Sequence, residues 1–299
     1  MSAFDPLLPF DLGQIHQQWL NARMDDFGPA APIRLDGELD RPLYRIFPLW
    51  HFEDMLRVRR LVLVSPTLWE DPREDIPASI MMQRPDHAQK ELNGYLYPAR
   101  CQCWSFECES DSLLRAYSRV TIDPLHSRNC EPRNEGVMVR TTPRKLSKAL
   151  AEWAGRAAWG KFYLGRVEYL AKEEASEKVV NVLASKGPIE IGRGENRAQS
   201  LLLKRKAFSH EDEVRLIWVC DDKREVEKAM TVNVNPNDFI EEVTFDPRLK
   251  RFELLERQQN AKALGYEGAF AESGLYQKTF FQTILPWNWE DWEGSATAE

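Results

Sequence analysis

Apolar and polar positions alternate along the chain in short blocks, each with the period of one kind of element. Leu43-Tyr44-Arg45-Ile46-Phe47 reads as a strand closed by Pro48. Leu49 to Arg59 reads as a helix with Phe52, Met55 and Leu56 on one side, and Arg60 to Val64 as a buried strand ended by Ser65-Pro66. Trp69 to Asp75 is an acidic, turn-forming segment, and Ile76 to Asn93 is expected to carry a helix. Cys101 to Phe106 reads as a strand, Asp111 to Arg119 as a short helix capped by Ser110 or Asp111, and Val137 to Thr141 as a strand. Thr142-Pro143 opens a helix, with a capping hydroxyl ahead of a proline at the first helical position and a stripe of Leu146, Leu150 and Trp153. Gly165 to Leu170 follows as a strand. The polar stretch from Lys172 to Ser200 holds one helix near Val179 to Leu183 and a mobile loop at Gly187, Gly192 and Gly194. Glu213 to Val219 is the strongest strand, and Thr231 to Val234 and Glu242 to Phe245 are two more. Asp246-Pro247 is expected to cap a long final helix with Leu249, Phe252, Leu255 and Leu264 on one face.

Some neighbouring strands lack a helix between them. The pattern therefore predicts a single mixed α+β domain, with a central, largely antiparallel β-sheet, whole or split, flanked by helices. Its expected span is 41–285. Residues 1–40, with Pro6, Pro9, Pro29, Pro32 and one short helical candidate from Leu12 to Met24, read as an N-terminal extension. Residues 286–299 read as an acidic Trp-rich tail that can dock on the domain or on a protein partner.

The chain has 299 residues, 43% of them hydrophobic, enough to bury a core. Lys plus Arg is 40 and Asp plus Glu 47, a net charge of −7, which argues against a general electrostatic nucleic-acid binder. Five cysteines (Cys101, Cys103, Cys108, Cys130, Cys220) are an odd number and do not make a disulfide framework. No apolar run approaches the roughly 18 residues that span a bilayer, and the first twenty residues lack the flank of a signal peptide. These features read as a cytoplasmic protein with no membrane partner.

Candidate chemistry lies in a few positions. Glu211, Glu213 and Arg215 stand at i, i+2 and i+4 ahead of an apolar strand, so they could share one face as an acid–acid–base row. Such a row can steady a developing positive charge, and its plain alternative is a cross-strand salt bridge on a solvated face. Glu70-Asp71-Pro72-Arg73-Glu74-Asp75 offers oxygen ligands to a divalent cation only with carboxylates from elsewhere, and otherwise is an Asp-Pro turn. Cys101-Gln102-Cys103 lacks the second pair of a zinc knuckle and reads as core. The histidines (His16, His51, His87, His126, His210) are scattered, and no metal is expected. Phosphate loops and nucleophile elbows are absent from the sequence.

Taken in order, Leu43-Tyr44-Arg45, Asp71-Pro72-Arg73-Glu74, Cys103-Trp104-Ser105, Leu113-Leu114-Arg115-Ala116-Tyr117, Gly136-Val137-Met138-Val139, Val167-Glu168-Tyr169, Lys204 and Glu211-Asp212-Glu213-Val214-Arg215-Leu216 resemble a mostly bacterial family, the domain of unknown function "two-nine-seven-one". The likeness covers roughly residues 43 to 265. Glu70 stands where that family usually has Asn, Trp104 where it has Phe, Arg115 where it has Trp and His210 where it has an aromatic residue.

More distantly, a Tyr-Arg strand, an aromatic-Ser strand and a Glu-x-Glu opening a strand look like the Arg–Ser–Glu arrangement of mono-ADP-ribosyltransferases. That resemblance implies an NAD-dependent ADP-ribosyl transferase or NAD glycohydrolase, a bacterial toxin or defence effector, with NAD as substrate and a protein or nucleic-acid acceptor. It implies Glu213, Glu211 and Ser105 at the reacting centre, Tyr44, Arg45, Lys204 and Arg215 around the nucleotide, and Asp71 and Glu74 in support. Two other readings stand beside it: a non-catalytic interaction or sensing protein working through its tail, and a metal-dependent nuclease using Asp71, Glu74, Glu211 and Glu213.

Overall fold

The computed structural model describes residues 29–71, 73–83, 87–120, 134–154, 159–224 and 226–277. The helix expected at Leu12 to Met24 and the tail at 286–299 lie outside the described residues, as do His16, His126 and Cys130. The strands are β1 (Ala31–Ile33), β2 (Leu43–Pro48), β3 (Arg60–Val64), β4 (Met81–Gln83), β5 (Gln89–Glu91), β6 (Ala99–Ser105), β7 (Gly136–Thr141), β8 (Gly160–Arg166), β9 (Glu168–Leu170), β10 (Leu203–Arg205), β11 (Glu213–Cys220), β12 (Ala229–Asn233), β13 (Glu242–Phe245) and β14 (Ala269–Ala271). The longer helices are α1 (Leu49–Val58), α2 (Asp111–Tyr117), α3 (Pro143–Ala149), α4 (Lys172–Ile191), α5 (Gly194–Ser200) and α6 (Arg251–Ala263).

Ten of these strands build one sheet in the order β1-β8-β11-β6-β2-β7-β13-β14, with β3 joined to β6 and β12 joined to β3. Its pairings are antiparallel except at the margins, where β1 runs parallel to β8 and β14 parallel to β13. The α+β class and the largely antiparallel sheet flanked by helices are thus as the pattern predicts. β1 comes from within residues 1–40 and adds a strand at one margin.

β11 is buried at all eight positions and sits between β6 and β8. Its even residues, Val214, Leu216 and Trp218, face one cluster with α1 and α3, where Phe52, Leu146 and Leu150 have no or almost no exposed surface. Its odd residues Ile217 and Val219 face a second cluster with Ala198, Leu201 and Leu202 at the end of α5. This is the alternation of a central strand covered on both faces. Glu213 and Arg215 continue the odd face, so the charged row is buried, and the reading of a solvated face is corrected.

Three other expectations change. Ile76 to Asn93 is not a helix: it folds as single 3₁₀ turns at Ile76–Ser79 and Leu92–Tyr95 around the β4–β5 pair. Pro77 and Gly94 explain the short turns, since neither favours a continued helix. Lys172 to Ser200 is helical through most of its length, well beyond the helix expected at Val179 to Leu183 and across the expected loop. Val179, Val182 and Leu183 recur at helical spacing and cover a small cluster with Leu92 and Leu203, and Ala175, one turn before Val179, is buried as well. Gly187, at φ 81, breaks α4 just before Pro188. A side chain at Gly192 would meet the backbone of Tyr95 at 2.3 Å, which shows a fixed approach and no loop. The final helix starts after Lys250. Asp246 is instead buried, holding Arg248 at 2.6 Å and Ser118, while Phe252 and Leu255 stay exposed. No helix among the described residues is long and apolar enough to cross a membrane.

These faces set opposite costs for two phenylalanines. Phe52 has no exposed surface and makes edge contacts with Phe245 and Tyr266, whereas Phe252 is 66% exposed. Urea unfolding should show a loss of about 3–5 kcal/mol for Phe52→Ala and a change within about 0.5 kcal/mol for Phe252→Ala.

Candidate functional site

β6 positions the site because its two edges are used differently. Along one edge it pairs with β11 throughout, Glu213 opposite Ser105 and Arg215 opposite Cys103. Along the other edge it meets two strands, each through a single bridge: Val64 of β3 at Cys101 and Tyr44 of β2 at Ser105. The sheet forks there. Between the two bridges the carbonyl of Cys103 accepts a hydrogen bond from the Arg45 guanidinium. A cavity of about 710 Å³ opens at the fork, within the usual size of ligand pockets.

Eight sequence-predicted residues line this one cavity: Tyr44, Arg45, Asp71, Glu74, Ser105, Lys204, Glu211 and Glu213. Arg215, the ninth, lies behind its wall with no exposed surface. Nε of Arg215 is 2.8 Å from one Glu213 oxygen and Nη2 is 3.0 Å from the other. Nη2 also contacts Glu74, Nη1 donates to the Leu201 carbonyl at 2.6 Å, and the guanidinium lies 4.3 Å from the Trp69 ring centroid. Lys204 reaches Glu211 at 2.7 Å, Glu213 at 3.0 Å and Glu74 at 3.3 Å. Three carboxylates thus surround two cations, and one negative charge is left over.

Burial by itself would raise the Glu213 carboxyl, but Arg215 and Lys204 outweigh it and hold the group at about 2. Burial would lower Lys204, yet Glu213, Glu211 and Glu74 keep it above its ordinary value. Both groups stay charged across the neutral range. The Cys103 thiol, pushed up by burial and by the neighbouring Glu213 carboxylate, stays protonated.

Glu211 does not lie on β11. It closes a 3₁₀ turn, Lys206–Glu211, and the left-handed backbone of Asp212 brings it to the same side as Glu213. The Ser105 hydroxyl donates to the Glu211 carbonyl and accepts from the Glu107 N–H at 2.9 Å. The N–H of Glu213 donates to the Tyr169 hydroxyl at 2.8 Å. Glu211 is the more open of the two carboxylates, with 20% of its side chain exposed against 4% for Glu213.

The acidic segment is pinned through three of its acids. Asp71 holds Arg205 at 2.8 Å, Glu74 holds Arg215, and Asp75 holds Arg197 at 2.6 Å. Arg205, Trp69, Phe208 and Tyr117 also line the cavity and are not among the sequence-predicted residues. Arg205 adjoins Lys204 and Trp69 precedes the acidic segment, which were the available signals. Arg115 turns outward to Asp111 and Tyr276. A second cavity of about 640 Å³ lies beside the far end of β11, with Trp153, Trp159 and Trp218 in its wall and none of the predicted residues.

No protein-family model and no curated protein matches the chain, so the likeness to the family "two-nine-seven-one" rests on the ordered motifs alone. Among solved structures the chain is similar to Thermus sp. 2.9 DarT in complex with ADP-ribosylated ssDNA, at 12% identity over 78% of this chain and 94% of that one, with a TM-score of 0.31. It is similar also to the same protein in complex with NAD+, at 11% identity over 77% and 94%, TM-score 0.28. At these values the likeness transfers no residue role from one chain to the other.

The depressed Glu213 carboxyl makes stability depend on acid. Its folded value, about 2, lies below the ordinary 4.5, so its contribution is complete above the ordinary value and is lost as pH falls toward 2. Between about pH 5 and about pH 3, urea unfolding of the parent protein should lose roughly 2 kcal/mol more than that of Glu213→Gln.

Proposed function

We propose that the protein cleaves the nicotinamide–ribosyl bond of NAD and passes ADP-ribose to water or to a protein or nucleic-acid acceptor. The observation that carries this reading is convergence: Arg45, Ser105, Glu211 and Glu213, from three separate segments, meet at one cavity. In the reaction the C–N bond breaks, its electron pair leaves with neutral nicotinamide, and the ribosyl carbon gains oxocarbenium character. Glu213, ionised and immobilised by Arg215 and Lys204, supplies a fixed negative charge for that centre without reorganisation. Glu211, more open, takes the proton from the acceptor hydroxyl or amine as it bonds to the ribosyl carbon.

The other residues take roles that their contacts support. Ser105 binds backbone on both sides of its hydroxyl and acts as a positioning residue for Glu211. Lys204 is engaged with three carboxylates, so it holds the acid pair and is not a phosphate ligand. Of the two guanidiniums that line the cavity, Arg205 is paired with Asp71 and Arg45 with a carbonyl, so Arg45 is the one that suits a dinucleotide's phosphates. Tyr44, Tyr117 and Trp69 offer aromatic surface to its rings. The nuclease reading fits less well, because Asp71, Glu74, Glu211 and Glu213 already face Arg205, Arg215 and Lys204 where a divalent ion would need open oxygens.

Nicotinamide release from NAD, followed chromatographically with and without single-stranded DNA or a cell lysate, tests this function. The parent protein should release nicotinamide. Glu213→Gln should lower the rate by about 10²-fold or more, and Glu211→Gln should lower transfer to an acceptor more than hydrolysis. Absence of both nicotinamide and a labelled acceptor would overturn the proposal.

A further inference from the structure

Asp212, between the two acids, does not line the cavity and is held from outside it. Its backbone is left-handed, φ 37 and ψ 57, a region that few residues other than glycine, asparagine and aspartate adopt. Its carboxylate meets Arg166 twice, at 2.7 Å and 3.1 Å, and Arg41 at 3.2 Å. Both arginines also share one oxygen of Glu38, each at 2.9 Å. The four side chains close a ring of alternating charge. Beneath it lies the buried Phe106 ring, 4.2 Å from the Arg41 guanidinium carbon and 5.6 Å from that of Arg166. The Phe106 N–H donates to the Asp212 carbonyl at 2.9 Å, which fixes the peptide as well as the side chain.

The consequence falls on the cavity. Ser105 holds Glu211 through its carbonyl, Phe106 holds the Asp212 carbonyl and Tyr169 holds Glu213 through its N–H, so the spacing of the two carboxylates turns on the Asp212 torsions, which these bonds and the side-chain ring fix together. With Asp212 in its left-handed state, one ammonium, Lys204, bridges both acids. With an extended or right-handed Asp212, Glu211 would swing away from Glu213 and that bridge would open. We infer that Glu38, Arg41, Arg166 and Asp212 form an external clamp that sets the spacing of Glu211 and Glu213, which makes Arg166 and Asp212 positioning residues for the transfer. The link to turnover rests on the function proposed above, whereas the link to geometry does not.

Two readouts separate these links. The first is kcat and KM for nicotinamide release. The second is the ¹⁵N resonance of the Lys204 ammonium, assigned by its loss in Lys204→Met. Arg166→Gln and Asp212→Gly should each lower kcat about tenfold or more at unchanged KM for NAD. Both should also broaden or abolish the Lys204 signal while circular dichroism stays unchanged. Asp212→Gly is informative because glycine accepts the left-handed torsions at no cost but cannot bind the arginines. Parent-like kinetics and a parent-like Lys204 signal in either variant would overturn the clamp. Should Arg166→Gln fail to fold, Asp212→Asn removes the charge and keeps a residue tolerant of this backbone. A parent protein that releases no nicotinamide, with a Lys204 signal that still collapses in the variants, would refute the proposed function and uphold the clamp.

Discussion

Arg215 carries a full charge at a position with no solvent contact, near the start of the central strand. A guanidinium there is tolerable only when its donors and its charge are matched, because the cost of removing an ion from water is large. Glu213, two residues earlier on the same face, supplies one match, and Glu74, from a loop 141 residues away in sequence, supplies another. The Leu201 carbonyl and the Trp69 ring complete it. Each partner is drawn inward by this one need. The acidic loop folds over the sheet, the end of α5 presents its carbonyl, and Lys204 is brought to the surplus carboxylates. Without Arg215 the acids at the fork would repel one another and the cavity would have no floor.

The fork itself follows from how β6 spends its backbone. β11 satisfies one edge in full, while β2 and β3 compete for the other and each take a single bridge. A sheet that paired continuously there would leave no room for a ligand. The gap requires a donor for the Cys103 carbonyl, and Arg45 fills that need with part of its fork of N–H groups.

The sequence reveals elements best where burial is periodic. β2, α1, β3 and β11 follow their predicted spans because apolar spacing and the closing Pro48 or Ser65-Pro66 mark them. Thr142 caps α3 through the Lys145 N–H, as the Thr-Pro pair implies. The expected helix at Val179 to Leu183 covers only a part of α4, because its buried stripe is narrow, Ala175 and Val179 within a mostly exposed polar helix broken at Gly187. The strand expected from Gly165 overlaps β8 only in its last residues, since Phe162 and Tyr163 precede a glycine that masks the pattern. At the site, residue types in order identified which side chains converge. The order did not reveal what each is bonded to: Lys204 and Arg215 read as ligands for a nucleotide, and only the fold shows that acids already occupy them. Partner choice across the sheet depends on register, which no local pattern encodes.

Ser105 and the carbonyl it anchors are 106 residues apart along the chain. The cavity is therefore a long-range object: it cannot exist on a partial chain, because β11 must be present to pair with both β6 and β8 before Glu213 has an address. Long-range strand pairing is slow, since closing such loops costs entropy before any contact rewards it. During synthesis, the two acids emerge only after the strands that carry Arg45 and Ser105. A growing or truncated chain thus carries the arginine and serine strands but no paired carboxylates. Any chemistry performed at this fork switches on in one step, with completion of the fold, and not gradually as the chain lengthens.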